Sequence, residues 1–110
     1  MNDCIFCKIA KGELNTDFIY EDEQVVAFND IQPQAPIHVL LITRAHFTSI
    51  KEMTDEKTIG HLITAGKAVA RKLGANSYRF VINTGKDSGQ AVFHIHLHLL
   101  AGRKMNWPPG

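Results

Sequence analysis

Apolar residues recur with recognisable periods along most of this chain. A helical period begins after Thr54, a residue type that often caps helix N-termini, and ends before Gly74, so it predicts a helix over about 55–73. Two short apolar runs, near residues 17–21 and 25–29, flank the acidic segment EDEQ. Runs separated by such a short polar turn predict a β-hairpin.

Three further apolar stretches predict strands. HVLLIT, which begins at His38, follows a loop that contains Pro33 and Pro36. YRFVIN, beginning at Tyr78, and VFHIHLHLLA, beginning at Val92, follow the helix and are separated by the glycine-bounded segment TGKDSGQ. This order predicts one α+β domain over residues 1–110, with a five-stranded, mostly antiparallel sheet and one long helix.

Composition narrows the class of partner. The formal net charge is +1, and 45% of the residues are hydrophobic, so neither nucleic acid nor an anionic membrane is the expected partner. No apolar run reaches membrane-spanning length. The start MNDCIFCKIA lacks the pattern of a secretory signal, which favours a cytoplasmic protein whose two cysteines are reduced or bind a metal.

The segment HIHLHLL carries the most informative polar residues. His94, His96 and His98 stand at alternate positions, so on a strand they share one face. A merely solvated strand would more commonly carry Thr, Lys or Glu there, and three imidazoles indicate nitrogen chemistry. The alternating residues on the other face are predicted to lie in the core: Phe93, Ile95, Leu97 and Leu99.

Two chemistries fit these imidazoles. Histidines at alternate strand positions can share a zinc ion with an open position for water. Alternatively, one imidazole is a nucleophile and the others position it or move protons. A hydrolytic zinc site favours a nearby carboxylate, and residues 85–100 contain only Asp87. Gly85 and Gly89 would let backbone amides turn toward an anion, although a plain hairpin connection explains that loop equally well.

Three blocks of the sequence resemble the histidine triad (HIT) family. GQAVFHIHLHLL resembles the triad motif, DIQPQAPIHVLLI an earlier block, and GRKMNWPPG the tail of the Hint branch, the histidine triad nucleotide-binding proteins. The resemblance runs from about residue 4 to the C-terminus. It implies a short N-terminal helix and a homodimer whose sheets join into ten strands. It also implies a purine nucleoside phosphoramidase, which cleaves the P–N bond of an AMP- or GMP-type phosphoramidate through a nucleotidyl-histidine.

The resemblance also implies catalytic roles. His96 would be the nucleophile, with its other ring nitrogen donating to the backbone carbonyl of His94. His98 would contact the phosphate, and His38 would sit beside the nucleophile and relay protons. No catalytic metal is implied.

A nucleotide pocket follows from the same resemblance, although the apolar members alone would be interpreted as core. The tail, residues 103–110, would reach the partner subunit and bring Trp107 to its leaving-group pocket. Ala91 departs from the animal Hint pattern, which has a serine there whose hydroxyl is thought to help the leaving group. The implied binding residues are Ile5, Phe6, Ile9, Phe28, Asp30, Ile31, Leu40, Asn83, Gly89, Gln90, Ala91 and Trp107.

The pair of cysteines in CIFC leaves several interpretations open. A redox pair or two surface thiols would each be consistent with it. A structural zinc needs four ligands, and some HIT relatives complete such a pair with two histidines. By that resemblance the zinc ligands here are Cys4, Cys7, His46 and His94. His61, in the predicted helix, is interpreted as solvated surface.

Three hypotheses are therefore consistent with the sequence. The first is a nucleoside phosphoramidase with a structural zinc. The second is a zinc hydrolase that binds its metal with all three triad histidines. The third is a purine nucleotide-binding protein without turnover.

Overall fold

The computed structural model describes residues 3–110, which form one antiparallel sheet and two α-helices. Helix α1 spans Ile5–Ala10 and α2 spans Glu56–Lys72, with short 3₁₀ turns at Ile50–Glu52 and Lys86–Ser88. The strands are β1 (Tyr20–Glu21), β2 (Val25–Asn29), β3 (Ile37–Thr43), β4 (Tyr78–Val81) and β5 (His96–Ala101). The predicted α+β class, five strands, long helix and short N-terminal helix are confirmed.

The sheet has the strand order β1-β2-β3-β5-β4, and every neighbouring pair is antiparallel. In the central pair Leu40 lies opposite His98, and Ile42 lies opposite His96. Directly opposed residues point to the same face of an antiparallel sheet. The register therefore places the second and third triad histidines on the face that carries Leu40, as the alternation in the sequence predicted.

Each face of the sheet has its own apolar cluster. On one face, α2 packs against β2, β3 and β5, with Leu62, Val69 and Leu97 among the fully buried residues. Gly66 allows the close approach of this helix, because an added Cβ would lie 2.9 Å from the ring of Phe80. On the opposite face α1 packs in a smaller cluster around Phe6. The triad histidines of β5 lie on the α1 side.

The predicted start of the long helix and the predicted start of the last strand were each wrong by a few residues. The N-cap of α2 is Asp55 rather than Thr54, because the Asp55 carboxylate accepts the backbone N–H of Lys57. Strand β5 begins at His96 rather than at Val92, and the segment before it bends. Strict alternation therefore fails there: Phe93, predicted to be core, is 49% exposed. Gly74 ends the helix with a φ of +73°, as predicted.

Among residues 3–110, neither helix combines the length and the apolar character needed to cross a bilayer.

Candidate active site and metal centre

A cavity of about 450 Å³ opens on the α1 side of the sheet. Its walls are mostly apolar, but they include the rings of His96 and His98 and the side chains of Asp30 and Asn83. All the predicted nucleotide-binding residues except Gln90 and Trp107 line it. The lining residues are Ile5, Phe6, Ile9, Thr16, Phe28, Asn29, Asp30, Ile31, Gln32, Leu40, Asn83, Gly89, Ala91, Val92, His96 and His98.

His96 is held in one orientation and one tautomer. Its Nδ1 lies 2.8 Å from the carbonyl oxygen of His94. Because a carbonyl oxygen can only accept, Nδ1 carries the proton and Nε2 keeps its lone pair. The ring of Phe6 packs edge-on, with ring centroids 5.1 Å apart. His96 thus supplies the cavity with an unprotonated imidazole nitrogen on a ring that cannot turn freely.

A second chain of hydrogen bonds fixes the tautomers of His38 and His98. The backbone N–H of Gln34 donates to Nδ1 of His38 over 2.9 Å. Neutral His38 must therefore carry its proton on Nε2, which lies 2.9 Å from Nδ1 of His98. Since that nitrogen of His98 accepts, His98 carries its proton on Nε2. His98, which lines the cavity next to His96, therefore presents an N–H donor.

Burial keeps both of these rings neutral. It lowers the pKa of His38 below its ordinary value, although the nearby charge of Asp30 opposes the shift. Burial, together with the neighbouring rings of His96 and His38, lowers the pKa of His98 to about 4. Near neutral pH the chain of hydrogen bonds therefore consists of uncharged imidazoles with defined donors and acceptors.

Asp30 lies at the edge of this chain and lines the cavity. One carboxylate oxygen accepts the backbone N–H of Gln32 at 2.8 Å, and the other lies 3.3 Å from Nε2 of His38. The resemblance to the HIT family implied that His38 sits beside the nucleophile. In the structure its hydrogen-bond partners are Gln34 and His98, so it reaches the cavity through His98.

Gln90, which the resemblance placed among the nucleotide-binding residues, instead supports the loop between β4 and β5. Gln90 does not line the cavity: it is buried, and its side-chain oxygen accepts the N–H of Gly85 at 2.8 Å. Its amide nitrogen donates to the carbonyls of Thr48 and Val92 at 2.7 and 3.1 Å. Gln90 therefore fixes the shape of the loop, while Gly89, with a φ of +98°, provides the backbone next to the cavity.

The first triad histidine faces a second cluster, next to α1. Nδ1 of His94 lies 3.3 Å from Sγ of Cys4, 3.6 Å from Sγ of Cys7 and 3.2 Å from Nδ1 of His46. Cys7 Sγ is also 3.3 Å from His46 Nδ1, and all four atoms lie within 4.8 Å of one another. A tetrahedral zinc with N and S ligands separates them by roughly 3.3–3.8 Å. The two thiols and two imidazoles therefore fit a closed zinc site.

Hydrogen bonds around this cluster favour the same assignment. Nε2 of the fully buried His94 lies 2.7 Å from the carbonyl oxygen of Thr43, so it carries the proton and leaves Nδ1 free to bind a metal. Burial and the neighbouring Cys4 raise the pKa of the Cys7 thiol. A cation bound at this position would favour the thiolate form.

A zinc ion shared by all three triad histidines does not fit this geometry. The unprotonated nitrogen of His94 faces the cysteines, and Nδ1 of His96 donates to the carbonyl oxygen of His94. Nδ1 of His98 faces His38. The three lone pairs point to three different places, which disfavours the zinc hydrolase hypothesis.

His61 differs from expectation because it is not merely solvated: its Nε2 lies 2.7 Å from Oδ2 of Asp22, which links α2 to the turn between β1 and β2. Trp107, which the resemblance assigns to the partner's leaving-group pocket, is 81% exposed and lies outside this chain's own cavity. Sequence reasoning missed four lining residues, and only Thr16 is not adjacent along the chain to a predicted site residue. The missed residues are Thr16, Asn29, Gln32 and Val92.

Comparison with known proteins gives a consistent result. The model of the HIT domain matches residues 11–105. The chain is 46% identical to an uncharacterized HIT-like protein of Synechococcus elongatus, over 98% of this chain and 97% of the relative. It is also 46% identical to a 14 kDa zinc-binding protein of Zea mays, over 96% of this chain and 87% of that protein.

Solved structures show the same fold. A HIT family hydrolase from Legionella pneumophila superposes with a TM-score of 0.93 at 43% identity, covering 97% of this chain and 99% of that one. A zinc-bound histidine triad family protein from Mycobacterium smegmatis superposes with a TM-score of 0.83 at 33% identity, covering 96% and 79%.

Proposed function

This chain belongs to the HIT domain family, and from that premise we propose that it is a hydrolase of the Hint type. Its substrates are purine nucleoside 5′-phosphoramidates, whose P–N bond it cleaves through a covalent nucleotidyl-histidine on His96. The observation that carries the proposal is the pair of opposite tautomers at one cavity. His96 offers a lone pair and its neighbour His98 offers an N–H.

Attack by Nε2 of His96 on the α-phosphorus would form a new P–N bond and break the bond to the leaving amine. Nε2–H of His98, which lies on the same wall of the cavity, would donate a hydrogen bond to the leaving nitrogen, and the amine departs with a proton taken from water. A second water then adds its hydroxyl to the phosphorus and releases its proton to solvent, and the bond between the phosphorus and His96 breaks. The products are a nucleoside monophosphate and an amine or ammonia.

The cavity suits a purine nucleotide. Phe6 and Phe28 meet edge-on, with ring centroids 5.8 Å apart, and provide a rigid apolar wall for a base. Asp30 would accept hydrogen bonds from the ribose hydroxyls, and Asn83 with the backbone at Gly89 would contact the sugar and phosphate. Ala91 lines the cavity without a hydroxyl, so any help to the leaving group must come from His98 or from the tail.

The zinc that the metal centre would hold has a structural role in this proposal. Cys4, Cys7, His46 and His94 would bind it, and with four protein ligands it supplies a cross-link rather than a Lewis acid. Cys4 also caps α1 through its thiol, which accepts the N–H of Cys7. The centre would therefore hold α1, and with it the cavity wall at Phe6, against the triad strand.

We further propose the Hint assembly, a homodimer in which the tail of each chain completes the partner's cavity. The tail sequence GRKMNWPPG supports it, as does the exposure of Trp107, a large apolar side chain that is costly to leave in water.

The decisive test is to incubate the protein with adenosine 5′-phosphoramidate, measure ammonia and AMP, and map trapped nucleotide by mass spectrometry. We expect turnover, with the nucleotidyl group on His96. His96→Ala should reduce kcat/KM by at least about a thousandfold and still bind AMP. His61→Ala, which changes a histidine remote from the cavity, is the matched control. Tight AMP binding without turnover by the parent protein would instead support a nucleotide-binding role.

A further inference from the structure

Two contacts favour the Nε2–H tautomer of His38: a backbone amide in an exposed loop donates to Nδ1, and a carboxylate oxygen of Asp30 lies 3.3 Å from Nε2. Gln34 donates its N–H to Nδ1 of His38, and it lies between Pro33 and Pro36 in the connection from β2 to β3. The contact involves no side chain of Gln34. The orientation of this peptide therefore has to be maintained by contacts elsewhere on the loop.

One such contact comes from the chain after β5. Nε of Arg103 donates to the carbonyl oxygen of Gln34 over 3.0 Å, and Nη1 donates to the carbonyl oxygen of Lys104 over 3.1 Å. The preceding residue, Gly102, has a φ of +94° and packs against Pro36 so closely that a Cβ would lie 2.9 Å from the proline side chain. Residues 102–103 thus lie against the loop and hold the carbonyl of the residue whose N–H orients His38.

We propose that Arg103 is a positioning residue for the imidazole relay. It acts through Gln34 to keep His38 protonated on Nε2 and His98 protonated on Nε2 toward the substrate. The proposal rests on the proposed function for its kinetic consequence, but the tautomer itself can be observed independently.

Loss of the Arg103 contact has a defined chemical consequence. If the Gln34 amide turns away, only the charged Asp30, 3.3 Å from Nε2, still favours the Nε2–H form of His38. In the fraction of molecules where Nδ1 takes the proton, Nε2 presents a lone pair to the lone pair of His98 Nδ1. The hydrogen bond between the rings is lost, and His98 no longer has a fixed donor for the leaving group. Protonation of His38 also becomes easier, since a donor no longer faces Nδ1.

The test uses full-length protein with ¹⁵N-labelled histidine. Two-bond ¹H–¹⁵N NMR spectra distinguish protonated from unprotonated ring nitrogens at neutral pH. The parent should show His38 and His98 protonated on Nε2. Arg103→Met, which keeps the aliphatic stem but removes all donors, should populate the Nδ1–H form of His38, and Arg103→Lys should restore part of the parental pattern. Arg79→Met is the matched control, because Arg79 also donates to a backbone carbonyl, that of Asn106 at 3.1 Å.

Kinetics on a phosphoramidate provide the second readout. For Arg103→Met we expect kcat to fall about fivefold with KM nearly unchanged, and the acid limb of kcat to move to higher pH. An unchanged His38 tautomer in folded Arg103→Met overturns the proposal, whatever the activity. If the parent does not turn over, the proposed function fails while the NMR comparison still decides the role of Arg103.

Discussion

Two clusters of side chains that could bind a metal lie on the same side of the sheet, and they differ in the tautomers of their histidines. Cys4, Cys7, His46 and His94 form one, and Asp30, His38 and His98 form the other. Both bring nitrogen, sulfur or oxygen ligand atoms within 4.8 Å of one another. By residue type and distance alone, each could hold a metal ion.

The two clusters differ in the hydrogen bond that one histidine makes through the ring nitrogen facing away from the cluster. In His94 that nitrogen donates to a carbonyl, so the inner nitrogen has a free lone pair. In His38 it accepts from the Gln34 N–H, so the inner nitrogen carries a proton unless the ring becomes an imidazolate. Metal-binding histidines normally donate through the second nitrogen. The first cluster thus has the geometry of a metal centre and the second the geometry of a proton relay, and the difference lies in a backbone contact of each histidine.

The largest effect expected from this comparison is on metal content. Cys7→Ser should reduce bound zinc from one per chain to nearly none, because zinc in such a site depends on thiolate ligands. We expect the melting temperature to fall by roughly 10 °C. Elemental analysis and calorimetry of protein purified without chelators would measure both.

The matched control for metal content is Asp30→Asn, which alters the other cluster. It should leave one zinc per chain. Equal loss of zinc in Asp30→Asn and Cys7→Ser would contradict the division into metal centre and relay.

Removal of the relay should cost activity without affecting the metal. His38→Asn removes the ring that orients His98, and we expect kcat/KM to fall about a hundredfold, less than for loss of His96. Zinc content should not change. A loss as large as that of His96→Ala would indicate that His38 acts on the nucleophile itself.

The relay should also leave a signature in the pH dependence of stability. The pKa of His98 is about 4 in the folded protein, below the ordinary value of about 6.5. As the pH falls from about 6.5 toward 4, the unfolded chain binds a proton that folded His98 does not, so stability decreases. We expect this residue to contribute about 2 kcal/mol to that decrease, allowing for its partial exposure.

Comparison with His98→Asn isolates this contribution, because acid release of zinc affects both proteins alike. The variant should lose less stability over the same pH interval in chemical denaturation. Parallel curves for the two proteins would show that His98 titrates normally.

The smallest expected effect concerns the tail, which contributes to neither cluster. Truncation after Lys104 should preserve zinc content, the dimer and AMP affinity. It should change the ratio of kcat/KM between a simple and a bulky phosphoramidate by about fivefold, since Trp107 is proposed to contact the leaving group of the partner's substrate. An unchanged ratio would remove the tail from substrate selection.

Sequence periodicity anticipated the part of this architecture that depends on regular geometry. Alternation placed His96 and His98 on one face, and helical spacing located α2. It failed at Phe93, because the segment before β5 bends, and at His61, whose partner Asp22 lies 39 residues away. The tautomers could not be predicted either, since they depend on carbonyls and amides whose positions only the folded backbone determines.

Helix α1 is only six residues long, yet the helix and its N-cap residue contribute both to the cysteine-containing cluster and to the cavity. Cys4 and Cys7 lie at the metal centre, while Ile5, Phe6 and Ile9 line the cavity. Ligands that order the same short segment must help each other, and linkage makes the coupling reciprocal. If zinc tightens nucleotide binding, nucleotide must tighten zinc binding by the same free energy, which competition with a chelator at equilibrium would measure. The availability of one ligand in the cell would then set how firmly the protein retains the other.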